Sequence, residues 1–289
     1  MGEMDKRLLI LGCGYSARYI SQKLTSEGWE IFGTTRSKHK LKNLRSLKIE
    51  PIFWDDISLV NNVLTNGCSV LSSIPPNGSI DDGLSMITKL LLLNSAKIKL
   101  FGYLSSTGVY GDRKGGWVSE KSPADTITSQ GKSRVNAEKN WFKLASKYSI
   151  PLFVFRLSGI YGPDRNIFDR IKSGNVKKVV KQNQYFNRIH IDDLATAVCI
   201  CLNKPELAGG YNIADDLPTP AATVIDEATK ILGVPNFPEV NFSDANLSTM
   251  AKSFYAESKR VSNTKLTKAL GYSLKYPTYV SGLRSLVIR

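Results

Sequence analysis

The 289-residue chain has little from which to build a metal site or a disulfide framework. It holds two histidines, His39 and His190, and four cysteines, Cys13, Cys68, Cys199 and Cys201, with no C-x-x-C pair. Structural zinc needs closely spaced Cys and His ligands, and disulfide scaffolds need paired cysteines in a short secreted chain, so no metal and no framework is expected. The C-x-C pair reads instead as two small buried side chains on a helix. Long apolar runs are missing too. None approaches the ~20 residues of a membrane helix. The early run 8–11 is cut by Gly12 and Gly14, which leaves it too short for the core of a signal peptide. The expectation is an intracellular, cytoplasmic protein without membrane association. Met1-Gly2 does not read as a myristoylation site, because Lys6 stands where Ser or Thr is required.

Acidic residues are outnumbered: 25 Asp and Glu against 39 Lys and Arg give a formal net charge of +14. Such a field draws phosphates, nucleotides or nucleic acid. The charge is spread along the chain, with concentrations at 36–48 and at Lys177, Lys178 and Lys181. Within the first, Leu41, Leu44 and Leu47 recur at helical spacing, which puts Lys38, Lys42 and Arg45 on the solvated side of an amphipathic helix. No aromatic-basic repeat or reading helix accompanies the charge, so a small molecule is the expected partner and nucleic acid is not.

Short apolar runs alternate with helical patterns through the first half, the rhythm of β-α-β units wound on a parallel sheet. Strands are predicted at 7–11, 30–34, near 50–53, 69–73 and 99–105, with helices at 15–27, 38–47, 57–65 and 80–95 between them. The turn-rich stretch 108–128 is too long for an ordinary connection and is a candidate active-site loop. A helix over 131–148 and a strand over 152–156 follow. The rhythm then becomes irregular: a helix near 166–173, strand-like pieces at 176–181 and 185–191, a helix over 192–203, a strand near 211–214, and helices at 219–232, 262–270 and 277–287. The fold class is therefore α/β, a Rossmann-type doubly wound parallel sheet with a smaller C-terminal substrate lobe. Residues 1–156 form the nucleotide-binding domain, which also receives the helix near 192–203 and the strand near 211–214. Residues 157–289 form most of an interleaved substrate-binding lobe.

Gly12-Cys13-Gly14-Tyr15-Ser16-Ala17 follows the first strand and opens the first helix, as the dinucleotide fingerprint G-x-G-x-x-G/A requires. Gly12 permits the tight turn, Gly14 lets backbone approach a pyrophosphate, and the helix start at Tyr15 and Ser16 offers N–H groups to the anion. At the end of the second strand, where NAD-selecting sites carry Asp or Glu, the chain reads Thr35-Arg36-Ser37. The Arg36 guanidinium suits a 2′-phosphate and the two hydroxyls can add to it, so NADP is favoured over NAD. Asp56, and Ser73, Ile74 and Pro75, follow the third and fourth strands at carboxyl ends where ligands of open sheets bind.

Together with Leu104-Ser105-Ser106-Thr107-Gly108-Val109-Tyr110-Gly111, Phe155-Arg156-Leu157-Ser158-Gly159-Ile160-Tyr161-Gly162-Pro163 and Arg188-Ile189-His190-Ile191-Asp192-Asp193-Leu194-Ala195, these segments resemble the extended short-chain dehydrogenase/reductase superfamily, the NAD(P)-dependent epimerase/dehydratase group. The resemblance covers nearly the whole chain. It implies that Asp56 reaches the adenine, that Asp193 supports the fold, and that chemistry proceeds by hydride transfer with a Tyr acid/base, a Lys and a Ser or Thr orienting the substrate. Ser106 matches the Ser/Thr position. Where Tyr-x-x-x-Lys is typical, this chain has Gln130 and Arg134. Gln has no accessible pKa for proton transfer, whereas Arg134 can still hold the nicotinamide ribose as a fixed cation. The chain thus looks like an atypical subgroup without the Tyr-Lys pair. Its expected catalytic residues are Ser106 and Arg134, with Tyr110, Tyr161 and His190 read as packing. The expected function is an NADP-binding oxidoreductase or isomerase of the epimerase/dehydratase type, acting on a small polar, nucleotide-linked sugar as a homodimer. A non-catalytic NADP-binding or sensing protein on the same fold is the alternative, and a nucleic-acid-binding protein a more distant one.

Overall fold

The computed structural model describes residues 6–93 and 97–287. The first half alternates as expected: β1 (Arg7–Leu11), α1 (Tyr15–Ser26), β2 (Glu30–Thr35), α2 (Lys40–Ser46), β3 (Glu50–Phe53), α3 (Ile57–Thr65), β4 (Cys68–Ser72), α4 (Asp82–Leu93) and β5 (Ile98–Ser106). Met1-Gly2 and the last residues of the helix predicted over 80–95 lie outside the described residues. A 3₁₀ turn at Thr107–Tyr110 leads to β6 (Trp117–Val118), α5 (Ser129–Tyr148), β7 (Leu152–Leu157), β8 (Gly159–Tyr161), α6 (Ile167–Lys172), β9 (Lys178–Val180), β10 (Arg188–His190), α7 (Ile191–Leu202) and β11 (Gly209–Ile213). Then come α8 (Ala221–Leu232), β12 (Glu239–Asn241), α9 (Thr249–Tyr255), β13 (Arg260–Val261), α10 (Thr264–Leu270) and α11 (Tyr279–Val287).

Seven strands form one parallel sheet in the order β11-β7-β5-β4-β1-β2-β3. Leu8, Leu9, Ile10 and Leu11 are all fully buried, because a central parallel strand is covered on both faces and needs a continuous apolar run. The chain leaves β1 toward β2 and β3, then returns to place β4 on the other side of β1. That reversal opens a crevice above the carboxyl ends of β1 and β4, the place where open sheets bind ligands.

The chain divides into two compact units. The first comprises residues 1–106, 132–156 and 194–211. Its core includes Phe101, Tyr103 and Trp141, all fully buried, with the Phe101 and Trp141 rings edge to face at 5.4 Å. The Trp141 indole N–H donates to Asp81 Oδ2 at 2.9 Å, which satisfies the polar end of a ring otherwise held by apolar contact. Helix α7 is apolar almost all round and buried, with Cys199 and Cys201 inside it as small side chains.

The second unit comprises residues 107–131, 157–193 and 212–289. Its core joins Tyr161 to Phe168 and Ile171 of α6, Val224 and Ile225 of α8, and Leu283 of α11. Residues 107–131 were expected inside the first domain and instead cluster here. Arg113 and Gly115 both donate their backbone N–H to Ser258 O, at 2.9 and 3.0 Å, and β6 pairs with β13. The short elements of this segment leave part of its backbone to be satisfied elsewhere, and a distant stretch of chain supplies those partners. Asp193, fully buried, accepts from the Tyr272 hydroxyl and from the Lys275 and Tyr276 amides, which ties the start of α7 to the 272–276 turn.

Candidate cofactor site and catalytic segment

The glycine loop is braced by hydrogen bonds and close contacts from β2 and from the segment after β4. Gly12 has φ +83°, a left-handed region costly for other residues, and a Cβ there would come within 2.6 Å of Ile74 Cγ1. Its N–H donates to Thr34 Oγ1 at 2.8 Å and its carbonyl accepts the Ser73 hydroxyl at 2.8 Å. Gly14 behaves differently. A Cβ placed on it meets nothing within 4 Å, so its exposed Cα faces open space at the mouth of α1. Helix α1 starts with no side-chain cap and no acidic residue in its first turn, which leaves its positive end available to an anion.

A cavity of about 280 Å³ lies over this loop. Gly12, Gly14, Thr35, Arg36, Ser73, Ile74 and Pro75, all singled out from the sequence, line it together. Cys13, Thr34, Lys40 and Trp54 line it as well and were not foreseen. Trp54 follows β3, a strand end at which a ligand residue was sought and assigned to Asp56 instead. Lys40 belongs to the basic run but turns toward the cavity from the first residue of α2. Burial pushes the Cys13 thiol up to about 11, so it is neutral lining and not a nucleophile.

Tyr15 and Ser16 open α1 beside the cavity without lining it. The Ser37 N–H donates to Thr35 Oγ1 at 3.1 Å, closing a small turn after β2. Asp56 caps α3, its Oδ1 accepting from the Leu59 N–H at 3.0 Å. The Arg36 guanidinium stands 4.9 Å over the Trp54 ring.

The carboxyl end of β5 carries the second set of candidates. Arg134 Nη1 donates to Leu104 O at 2.7 Å and contacts the Tyr103 hydroxyl at 3.2 Å. Burial pushes the Tyr103 phenol up to about 12, against the opposing effect of Arg134. One turn further along α5, Glu138 Oε1 accepts the Ser105 hydroxyl at 2.6 Å, and the Glu138 carboxylate also pairs with Arg156 of β7 through both Nε and Nη2. Neither Glu138 nor this network was anticipated, although its four-residue spacing from Arg134 marks one helix face. Ser106 is half-buried at the strand end and Gln130 is exposed in the first turn of α5.

In the second unit the Tyr110 hydroxyl donates to Asn212 Oδ1 at 2.6 Å, a buried packing contact. The Tyr161 hydroxyl has no hydrogen-bond partner among the described residues, and burial drives its pKa upward, away from acid/base work near neutrality. His190 is buried and its Nδ1 accepts from the Asp192 N–H at 3.2 Å. Among the described residues no group of three or more His, Cys, Asp or Glu side chains is placed to hold a metal. Among them, too, no helix is long and apolar enough to cross a membrane.

Comparison with known proteins agrees with this architecture. The model of the NAD dependent epimerase/dehydratase family matches residues 8–214, from β1 through the late strand β11. The chain belongs to that family. Among solved structures, a functionally unknown conserved protein from Silicibacter pomeroyi DSS is 37% identical, with 97% of this chain and 98% of that one covered and a TM-score of 0.89. The human epimerase family protein SDR39U1 with NADPH is 18% identical, with 98% and 99% covered and a TM-score of 0.75. Protein YeeZ of Escherichia coli K12 is 22% identical over 282 residues, 94% of this chain and 97% of YeeZ. The matched range takes in the glycine loop, the five strands β1–β5 and the segment that carries Gln130 and Arg134.

Proposed function

We propose that the protein binds NADP at the glycine loop and acts as an oxidoreductase or isomerase on a small polar substrate, with a nucleotide-linked sugar the preferred class. The observation that carries the cofactor reading is the cavity itself. Its floor is the Gly12–Gly14 loop, whose Gly14 leaves room for a pyrophosphate, and its rim holds two cations, Arg36 and Lys40, beside the Trp54 ring. A 2′-phosphate fits two cations better than the ribose hydroxyl of NAD does. The nicotinamide, when bound, supplies the hydride donor or acceptor. The chain's own part is to hold the dinucleotide through loop amides and the α1 start, and to orient a substrate hydroxyl with Ser106.

Calorimetry tests the reading. NADPH should bind more tightly than NADH, and Arg36→Ala should remove most of the difference, about ten- to a hundredfold for a charge-assisted bidentate contact. Equal affinities in the parent protein would sink the assignment. A cofactor-binding protein without turnover remains the second reading, favoured by one specific feature. Gln130 offers no titrating group, and Arg134 is tied to the Leu104 carbonyl.

A further inference from the structure

Arg36 follows the second strand of the first unit and Asp82 opens α4, 46 residues later. The Arg36 Nη2 atom lies 2.5 Å from Asp82 Oδ2, with the side chains 61% and 40% exposed. An exposed pair of this kind contributes little to stability. Its consequence falls on the ligand. A guanidinium offers an anion two bidentate edges, Nε with Nη2 and Nη1 with Nη2, and Nη2 belongs to both. Arg156 uses the first edge on Glu138 and Arg113 the second on Asp125, so both modes occur in this molecule. One face of the Arg36 guanidinium is turned to Trp54. A 2′-phosphate must then either displace the Asp82 carboxylate from the shared nitrogen or take the remaining edge with that carboxylate alongside.

Asp82 is free to play this part and its neighbour is not. Asp81 is buried and committed, Oδ1 accepting from the Leu84 N–H and Oδ2 from Trp141 Nε1. Those bonds anchor the start of α4 and so fix where Asp82 projects. A displaced Asp82 carboxylate stays in the first turn of a twelve-residue helix, where the helix dipole favours negative charge.

We infer that Asp82 is a specificity-determining residue of the cofactor site, competing with the 2′-phosphate for Arg36 and lowering the preference for NADP over NAD. The inference rests on the proposed NADP reading. A ligand without a 2′-phosphate has no use for the guanidinium edge, so Asp82 leaves its affinity alone. The carboxylate thereby keeps NADP exchangeable at a site that two cations would otherwise hold tightly.

The test titrates 2′,5′-ADP and 5′-AMP, then NADP and NAD, into the parent protein, Asp82→Asn and Asp82→Ser, both of which leave the Asp81 bond to the Leu84 N–H in place. Both variants should bind 2′,5′-ADP and NADP about three- to tenfold more tightly at low salt, with the gain shrinking at high salt. Affinities for 5′-AMP and NAD should stay within about twofold. In an Arg36→Ala background the gain from Asp82→Asn should largely vanish. An unchanged or weakened 2′,5′-ADP affinity overturns the inference, as does an equal gain for 5′-AMP or the same gain without Arg36. A parent protein that binds none of the four ligands tells instead against the cofactor site. A parent that binds NADP while the variants behave like it tells only against Asp82.

Discussion

The Ser105 hydroxyl donates to Glu138 Oε1 at 2.6 Å, linking the end of β5 to the middle of α5. Because the same carboxylate pairs with Arg156, three elements of the first unit are fastened at one point just before Ser106. The ion pair is shielded, with side-chain exposures of 14% for Arg156 and 11% for Glu138. Removing one partner of a shielded pair strands the other's charge. Glu138→Ala should therefore lower stability by about 3 kcal/mol, and Ser105→Ala by about 1 kcal/mol. Replacing both ion-pair partners, Glu138→Leu with Arg156→Met, should recover part of the loss. Urea unfolding measures all four proteins. A Glu138→Ala midpoint equal to the parent's would mean that the network does not hold the strand end.

The two glycines of the loop should fail in different ways. Gly12→Ala puts a Cβ within 2.6 Å of Ile74 Cγ1 at φ +83°, so folding and cofactor binding should both suffer, with a stability loss of about 1–3 kcal/mol. Gly14→Val meets open space, so the circular dichroism spectrum and melting temperature should stay close to the parent's while dinucleotide binding disappears. Undiminished cofactor affinity in Gly14→Val would reduce the loop to a plain strand-helix turn.

What could be read from the sequence was what depends on neighbours along the chain. The glycine loop, its strand and its helix lie within some thirty residues and announce themselves by order. Helix α3 forms at the expected 57–65, although the Asp56 that caps it was expected only as a ligand residue. The missed features are made by distant pairings. Trp54 enters the site only because β3 lies beside β2, and the Arg36–Asp82 contact spans 46 residues. Strands β6 and β13 are two residues each, too short for any alternation to register, and exist because they meet. Glu138 was within reach, since the helical face carrying Arg134 also carries the residue one turn on.

Acidity should stabilise the second unit through Asp215. Burial pushes its carboxyl from 3.8 up to about 7, outweighing the Leu217 N–H and Arg188, which lower it, while Asp216 and Asp193 add to the rise. The folded protein thus keeps a proton that the unfolded chain releases. The Asp215 contribution is fully present below about pH 4, declines as pH rises, and is exhausted above about pH 7. Each tenfold difference in proton affinity corresponds to about 1.4 kcal/mol, giving an upper bound of about 4 kcal/mol. Asp215→Asn keeps an acceptor for Leu217 and removes the titration. The difference in urea midpoint between variant and parent should therefore grow in the variant's favour from pH 4 to pH 7, and superimposable pH profiles would refute it.

Turnover, where it occurs, should depend on Ser106 and not on Gln130. A neutral amide has no accessible pKa, so Gln130→Ala should leave the rate within about threefold. Ser106 ends β5, beside the strand carbonyl that holds Arg134. If its hydroxyl orients a substrate oxygen, Ser106→Ala should lower kcat by about ten- to a hundredfold with cofactor affinity unchanged, since a positioning contact and not a cofactor contact is lost. The converse experiment installs a Tyr-Lys pair, Gln130→Tyr with Arg134→Lys, whose four-residue spacing puts both on one face of α5. Nicotinamide absorbance across a panel of nucleotide sugars reads the outcome. Gain of epimerase or dehydrogenase activity would mean that the surrounding geometry is still competent and that the natural replacements redirect the chemistry. A silent Ser106→Ala in a working assay, together with an inert restored pair on every sugar tried, would overturn the catalytic assignment and leave the cofactor-binding protein without turnover as the better account.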